Sequence, residues 1–180
     1  MVEALLERPC GDCSVCCTHM TIDSPGFTKA AGLTCEHCLS PGCGIYESRF
    51  DICRTYRCGW KHAGWLPEAM RPDRCGVVID FTEADDPAYE LEARLLAYRD
   101  AADFERNPVP DVICSLIENR VLVHIARPGP PGRPGAKTAV NAGLGEAIRT
   151  RNLDLLFAEL RVAVRTLEQN RPGDRPPRPM

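Results

Sequence analysis

The pattern of hydrophobic and polar positions changes about a third of the way along the chain. From Cys10 to His62 only twelve of 53 residues are large and apolar, and Gly, Pro, Ser, Thr and Asp interrupt them throughout. No helical or strand period develops there. Ordering a residue costs about 1–2 kcal/mol of backbone entropy, which so little apolar surface cannot offset by burial, so the pattern predicts a cross-link of another kind.

Beyond Trp65 the period returns. "CGVVIDF" (Cys75–Phe81) predicts a buried strand, and "YELEARL" (Tyr89–Leu95) alternates as a half-buried strand does, although Glu90 and Arg94 at i, i+4 leave a helix as the alternative. "PDVICSLIEN" carries Val112, Ile113, Leu116 and Ile117 at helical spacing behind Pro110, and "VLVHIA" (Val121–Ala126) reads as a third strand. Residues 128–135 are seven parts in eight Pro or Gly and predict a stiff loop. The last helix follows Asn152 as N-cap, with Leu153, Leu156, Phe157, Leu160, Val164 and Leu167 on one face.

These elements predict an α+β fold: an irregular, cysteine-rich, metal-stapled N-terminal module packed on a small sheet with two or three helices. The expected divisions are a module over residues 1–62, a scaffold over 63–168 that can be continuous with it, and a disordered Pro/Arg tail over 169–180. The last ten residues of that tail carry three Arg and one Asp.

Composition adds little until the cysteines are counted. Apolar residues at 44%, charged residues at 26% and a net charge of −3 suit a globular protein and give no general attraction to nucleic acid or anionic membrane. The opening "MVEALLERPC" lacks a basic region followed by an apolar one, and no run approaches the roughly 18 apolar residues of a membrane helix. A cytoplasmic location is expected, with no membrane partner. There, eleven cysteines, an odd number with nine of them between Cys10 and Cys58, read as metal ligands before disulfides.

Two spacings compete. Cys13 and Cys16 with Cys35 and Cys38 form paired C-x2-C knuckles separated by 18 residues, as in a tetrahedral zinc site. Cys10, Cys13 and Cys16 instead form the C-x2-C-x2-C run that holds three corners of an iron–sulfur cluster, with Cys53 or Cys58 as the fourth. Adjacent Cys16 and Cys17 diverge as neighbours do, so one of them is expected at a second centre or at none. His37 and His62 could each replace a thiolate, the plainer alternative being a surface histidine. Cys75 and Cys114 lie inside apolar patterns and read as core residues.

"CGDCSVCC", then "CEHC", then "GCGIYESRFDICRTYRC" resembles the cysteine-cluster family named for YkgJ, described as a zinc- or iron-chelating domain. Its hallmarks are C-x2-C-x2-C-C and a downstream C-x-IY-x2-RP-x2-C. The likeness spans Cys10 to Cys58, roughly a quarter of the chain. It implies that Cys10, Cys13, Cys16, Cys17, Cys43, Cys53 and Cys58 fall on the family's cysteines, with Cys35 or Cys38 adding one more. The chain departs at Phe50, where the family has Pro, a change expected to loosen the turn after Tyr46. Relatives include a flagellin lysine methylase thought to use an iron–sulfur centre, so an enzymatic role stays open.

Other motifs point away from rival chemistry. "GRPGAKTA" lacks the direct Gly-Lys step of a phosphate loop. Trp60 and Trp65 around Lys61 and His62 read as a hydrophobic roof over a metal knuckle before a nucleic-acid platform. Arg49, Arg54 and Arg57 keep a weak claim to nucleic acid; as cations near thiolates they could instead lower cysteine pKa values and balance the charge of a bound centre. Three function classes remain: a structural zinc or iron module whose C-terminal half binds a protein partner, an iron–sulfur modifying enzyme or electron carrier, and a metal chelator or delivery protein.

Overall fold

The computed structural model describes residues 8–39 and 42–170. Its N-terminal segment is built from short pieces: α1 (Val15–His19), a hairpin of β1 (Ile22–Ser24) and β2 (Phe27–Lys29), then α2 (Asp51–Thr55), α3 (Gly59–His62) and α4 (Pro72–Cys75). None is long enough to stand without tertiary contacts. The hairpin, which the polar pattern concealed, turns at Gly26, where φ is +87°.

The rest of the chain forms a four-stranded sheet and three helices, and the fold is α+β. The strands β3 (Val77–Glu83) and β4 (Leu91–Ala97) pair antiparallel. The helix α5 (Val109–Glu118) then carries the chain to β5 (Leu122–Arg127), which lies parallel to β4, and β6 (Ala136–Ala139) closes the sheet antiparallel to β5. Helices α6 (Asn141–Thr150) and α7 (Leu153–Gln169) follow. Among the described residues no helix is long and apolar enough to cross a membrane.

Strand alternation distributes the sheet's side chains over two covered faces. Val77, Ile79, Ala93, Leu95, Ala97, Val123 and Ile125 share one core with Phe104, Ile113, Leu116, Leu144, Leu160 and Leu167. On the other face Val78, Leu96 and Ala126 pack with Val15 of α1, and Cys13, Met20, Cys58 and Tyr98 lie against them. The cysteine-rich segment thus covers the second face of the sheet. Its second attachment is Gly59, which approaches β3 so closely that a Cβ there would lie 2.7 Å from that of Ile79.

Several sequence expectations shift. The strand read over Cys75–Phe81 begins at Val77, because Cys75 closes α4 and Gly76 turns the chain with φ +79°. A Cβ on Gly76 would collide with the buried Asp103 carboxylate. The stretch read over Tyr89–Leu95 is a strand and not the rival helix, but it begins at Leu91, and its nominally outward Glu92 is 8% exposed. It is buried beside His124, whose Nδ1 lies 3.1 Å from its carboxylate. Asn152 caps α7 by accepting from the Leu155 N–H at 3.0 Å, yet Leu153 is 66% exposed and outside the buried stripe.

The strand β6 and the helix α6 had no expectation attached. Asn141 explains how they end up in register with the sheet: its amide accepts from Val123 N–H at 2.7 Å and donates to Val121 C=O at 2.8 Å. The expected tail overlaps the described residues only at Gln169, which ends α7, and Asn170; its remainder lies outside the described residues.

Candidate functional site

Eight of the nine N-terminal cysteines, namely Cys10, Cys13, Cys16, Cys17, Cys35, Cys43, Cys53 and Cys58, line one cavity of about 280 Å³. Cys38 lies outside the lining, but its thiol interacts with the Cys17 thiol and the Ser14 hydroxyl. Cys16 and Cys17 both line the cavity. Cys75 and Cys114 pack against the main core.

Local backbone bonds bring these sulfurs together. The Cys13 N–H bonds Cys10 C=O at 3.1 Å, closing the first turn of the C-x2-C run. The Cys35 N–H bonds Cys17 C=O at 2.8 Å and brings the second knuckle onto the first, while Cys38 N–H returns to Cys35 C=O at 2.9 Å. A β-bridge joins Cys38 to Cys43. Cys53 sits in α2, and Cys58 immediately precedes α3.

Lys29 is the chain's own cross-link in this region. It is 8% exposed, and its ammonium donates to the carbonyls of Thr18, Met20, Ala30 and Leu33 at 3.2, 2.7, 3.2 and 2.9 Å. Three protons thus serve four acceptors, and the ammonium holds the end of α1 against the loop that leads to Cys35. The Pro/Gly loop adds a bond from Gly132 N–H to Ala31 C=O at 3.1 Å.

The Phe50 departure does not loosen its turn. Its φ of −54° and ψ of 148° are values a proline would take, and its ring stacks on Phe27 at 4.3 Å and 4°. Arg49 secures the preceding turn by donating to Tyr46 C=O at 2.8 Å, with its guanidinium 3.6 Å over the Tyr46 ring.

Burial dominates the thiols. It raises the pKa of Cys13, Cys38, Cys53 and Cys58, against the opposing pull of the Val15 N–H at Cys13 and of the Lys61 N–H at Cys58. Cys17 is lowered, first by a hydrogen bond from Cys16 and then, against burial, by Cys38, Lys29 and Arg49, while Cys16 as the donor is raised. Lys61 lies on the cavity and donates to Cys10 Sγ at 3.7 Å. Arg49 also lines the cavity; Arg54 does not, and its guanidinium bonds Arg49 C=O at 2.7 Å. Arg57, an exposed residue, is also absent from the lining.

Trp60 and His37 line the cavity as well, whereas Trp65 is 55% exposed and His62 is exposed with its ring facing Phe81. The roof expected of two tryptophans is therefore one. Sequence reasoning passed over Tyr56, which lines the cavity and whose hydroxyl is bonded to Asp80. Its position two residues before Cys58 was the signal available.

Among the described residues no three His, Cys, Asp or Glu side chains are gathered closely enough to hold a metal ion as they stand. The thiols are spread over the walls of a shared cavity and do not form a closed tetrahedral shell. Their softness suits a thiophilic metal, and eight thiols exceed the four that one zinc ion or one iron–sulfur cluster takes. No family model, no curated protein and no solved structure matches this chain.

Proposed function

We propose that this is a cytoplasmic metal-binding protein whose cysteine-lined cavity takes an iron–sulfur centre, with zinc as the alternative metal. The observation that carries the reading is the convergence of eight cysteines, distant in sequence, on one cavity. Cys10, Cys13 and Cys16 would supply the first ligands, and Cys17, Cys35, Cys43, Cys53 and Cys58 the remainder, with Cys38 in reserve beside Cys17. The resemblance to the YkgJ-like cysteine-cluster family supports the same assignment.

Eight thiols exceed the four that either a zinc ion or a single iron–sulfur cluster takes, and it is the C-x2-C-x2-C run of Cys10, Cys13 and Cys16 that favours iron–sulfur. An iron–sulfur centre supplies one-electron chemistry when bound, and zinc a static cross-link. Lys61 and Arg49 on the cavity, with the Lys29 charge acting on Cys17, balance the negative charge that ionised thiols bring, and Trp60 with Val15 and Val78 gives the cavity apolar lining. An iron–sulfur modifying enzyme or electron carrier and a metal chelator or delivery protein remain the candidate roles. A protein partner would find its surface on the C-terminal half.

The test is purification without oxygen, followed by a visible spectrum and assay of iron, zinc and acid-labile sulfide. Brown protein with iron and sulfide supports the cluster, and colourless protein with stoichiometric zinc supports the alternative. Protein that holds neither, and takes up neither on reconstitution, overturns the reading.

A further inference from the structure

Trp60 belongs to two environments at once. Its side chain is 4% exposed and part of the main core, yet it is also one of the groups lining the cysteine cavity. Arg8 fixes it from outside: the guanidinium lies 5.0 Å from the indole centroid and donates to the carbonyls of Trp60, Gly64 and Leu66 at 2.9, 2.7 and 2.9 Å. Gly59, its neighbour, is pressed against Ile79. Trp60 is therefore anchored on both sides, by Arg8 at its carbonyl and ring and by its neighbour Gly59 against β3.

The polar edge of the ring is the anomaly. The Trp60 indole nitrogen is buried and, among the described residues, meets no hydrogen-bond partner. An indole N–H is a donor only, and a buried donor without an acceptor is costly enough that native folds rarely keep one. The next residue, Lys61, donates to Cys10 Sγ on the same cavity, and Arg49 adds a second cation to the lining. Two cations thus stand on the cavity that Trp60 shares with eight cysteines.

We infer that the Trp60 indole N–H is a hydrogen-bond donor to a sulfur, thiolate or sulfide, of the centre held in this cavity. Trp60 is then a positioning residue and not a ligand, and the inference rests on the metal-binding reading above. A donor to sulfur stabilises the more negative state of such a centre, so in an iron–sulfur protein it would raise the reduction potential.

The experiment uses the full chain labelled with 15N at tryptophan and titrated with Zn(II) without oxygen, zinc being a diamagnetic, thiophilic probe. The protein has two tryptophans, so two indole signals are expected, with exposed Trp65 as the internal reference. The Trp60 signal should move downfield and its hydrogen exchange slow by about tenfold or more, while the Trp65 signal stays in place. Trp60→Phe keeps a ring and loses the N–H. That variant should retain the far-ultraviolet circular dichroism of the parent and bind Zn(II) about tenfold more weakly in chelator competition.

Zinc bound in full with the Trp60 signal unmoved would overturn the inference and leave the metal reading standing. So would unchanged zinc affinity in folded Trp60→Phe. If zinc does not bind but iron and sulfide reconstitute a cluster, the reduction potential becomes the readout and Trp60→Phe should lower it, an unchanged potential overturning the inference; if neither metal is taken up, the metal reading and this inference fall together.

Discussion

The Tyr56 hydroxyl donates a 2.5 Å hydrogen bond to Oδ1 of Asp80 and so fastens the cysteine-bearing layer to the second face of the sheet. Arg94 holds the other carboxylate oxygen at 2.7 Å from the neighbouring strand. Removing the hydroxyl with Tyr56→Phe leaves Asp80 paired to Arg94. The expected loss is about 1.5 kcal/mol, the lower range for a hydrogen bond to a charged group. Urea unfolding should show a lower midpoint with an unchanged slope.

Lys29→Met strips one donor from four carbonyls that converge on it. A loss of about 3 kcal/mol is expected, because buried acceptors left without partners cost more than the bonds themselves contribute. Lys29→Arg should not restore it, since a planar guanidinium cannot reproduce the ammonium's directions. Amide exchange should accelerate at Gly32 and Cys35, whose N–H groups bond Thr18 and Cys17 within the same knot.

Phe50 allows its backbone and ring contributions to be separated. Phe50→Ala loses the stacking on Phe27 and is expected to cost about 2 kcal/mol, of which about 1 belongs to the aromatic pair. Phe50→Pro loses the same ring, but the dihedrals at Arg49 and Phe50 already suit proline. It should therefore be more stable than Phe50→Ala by about 0.5 kcal/mol through the unfolded state. Thermal unfolding of the two variants decides this, and a proline variant less stable than the alanine one would contradict it.

Burial raises the pKa of the Cys75 thiol from 9.0 to about 11; its sulfur is also hydrogen-bonded to the backbone of Met70 and Val77. A group raised in the folded state gives its full stability below the unfolded value and loses it as pH climbs through the folded one. Its contribution should thus be intact at pH 8 and decline from about pH 9 to 11. Alkylation with iodoacetamide, followed by peptide mapping, should find Cys75 about 100-fold less reactive at pH 8 than in the unfolded chain.

On the proposed function, Cys13→Ser should lower metal content and loosen the N-terminal segment, because the Cys13 thiol lines the cavity and packs beside Val15. Cys114→Ser, away from the cavity, should leave metal content unchanged. Metal assay of both variants alongside the parent checks this. Full retention of metal by Cys13→Ser would remove it from the ligand set.

Local pattern carried the elements that bury a continuous apolar stripe or face. The helix α7 was legible from its cap at Asn152 to Leu167, and β3, β4, α5 and β5 were legible to within a few residues, because period and propensity agree with packing in each. The β1–β2 hairpin, β6 and α6 were not. Phe27 and Ile22 are isolated apolar residues, and Ala136–Ala139 has no large apolar side chain to form a pattern. In α6, Gly143 and Gly145 leave Leu144, Ala147 and Ile148 as the only apolar stripe. These elements form because their polar groups find partners in the rest of the fold, as the Asn141 side-chain amide does with the backbone at the start of β5.

The sequence by itself determined which residues could bind a thiophilic centre, since residue type and the C-x2-C spacing are local facts. Only the tertiary structure decided that eight of the nine cysteines face one cavity, that Cys16 and Cys17 share it, and that Trp60 lines it while Trp65 does not. Spacing constrains neighbours a turn apart. Bringing Cys10 to the same cavity as Cys58 requires the sheet face beneath α1, the Lys29 knot and the close approach of Gly59, and those depend on contacts between residues far apart in the chain.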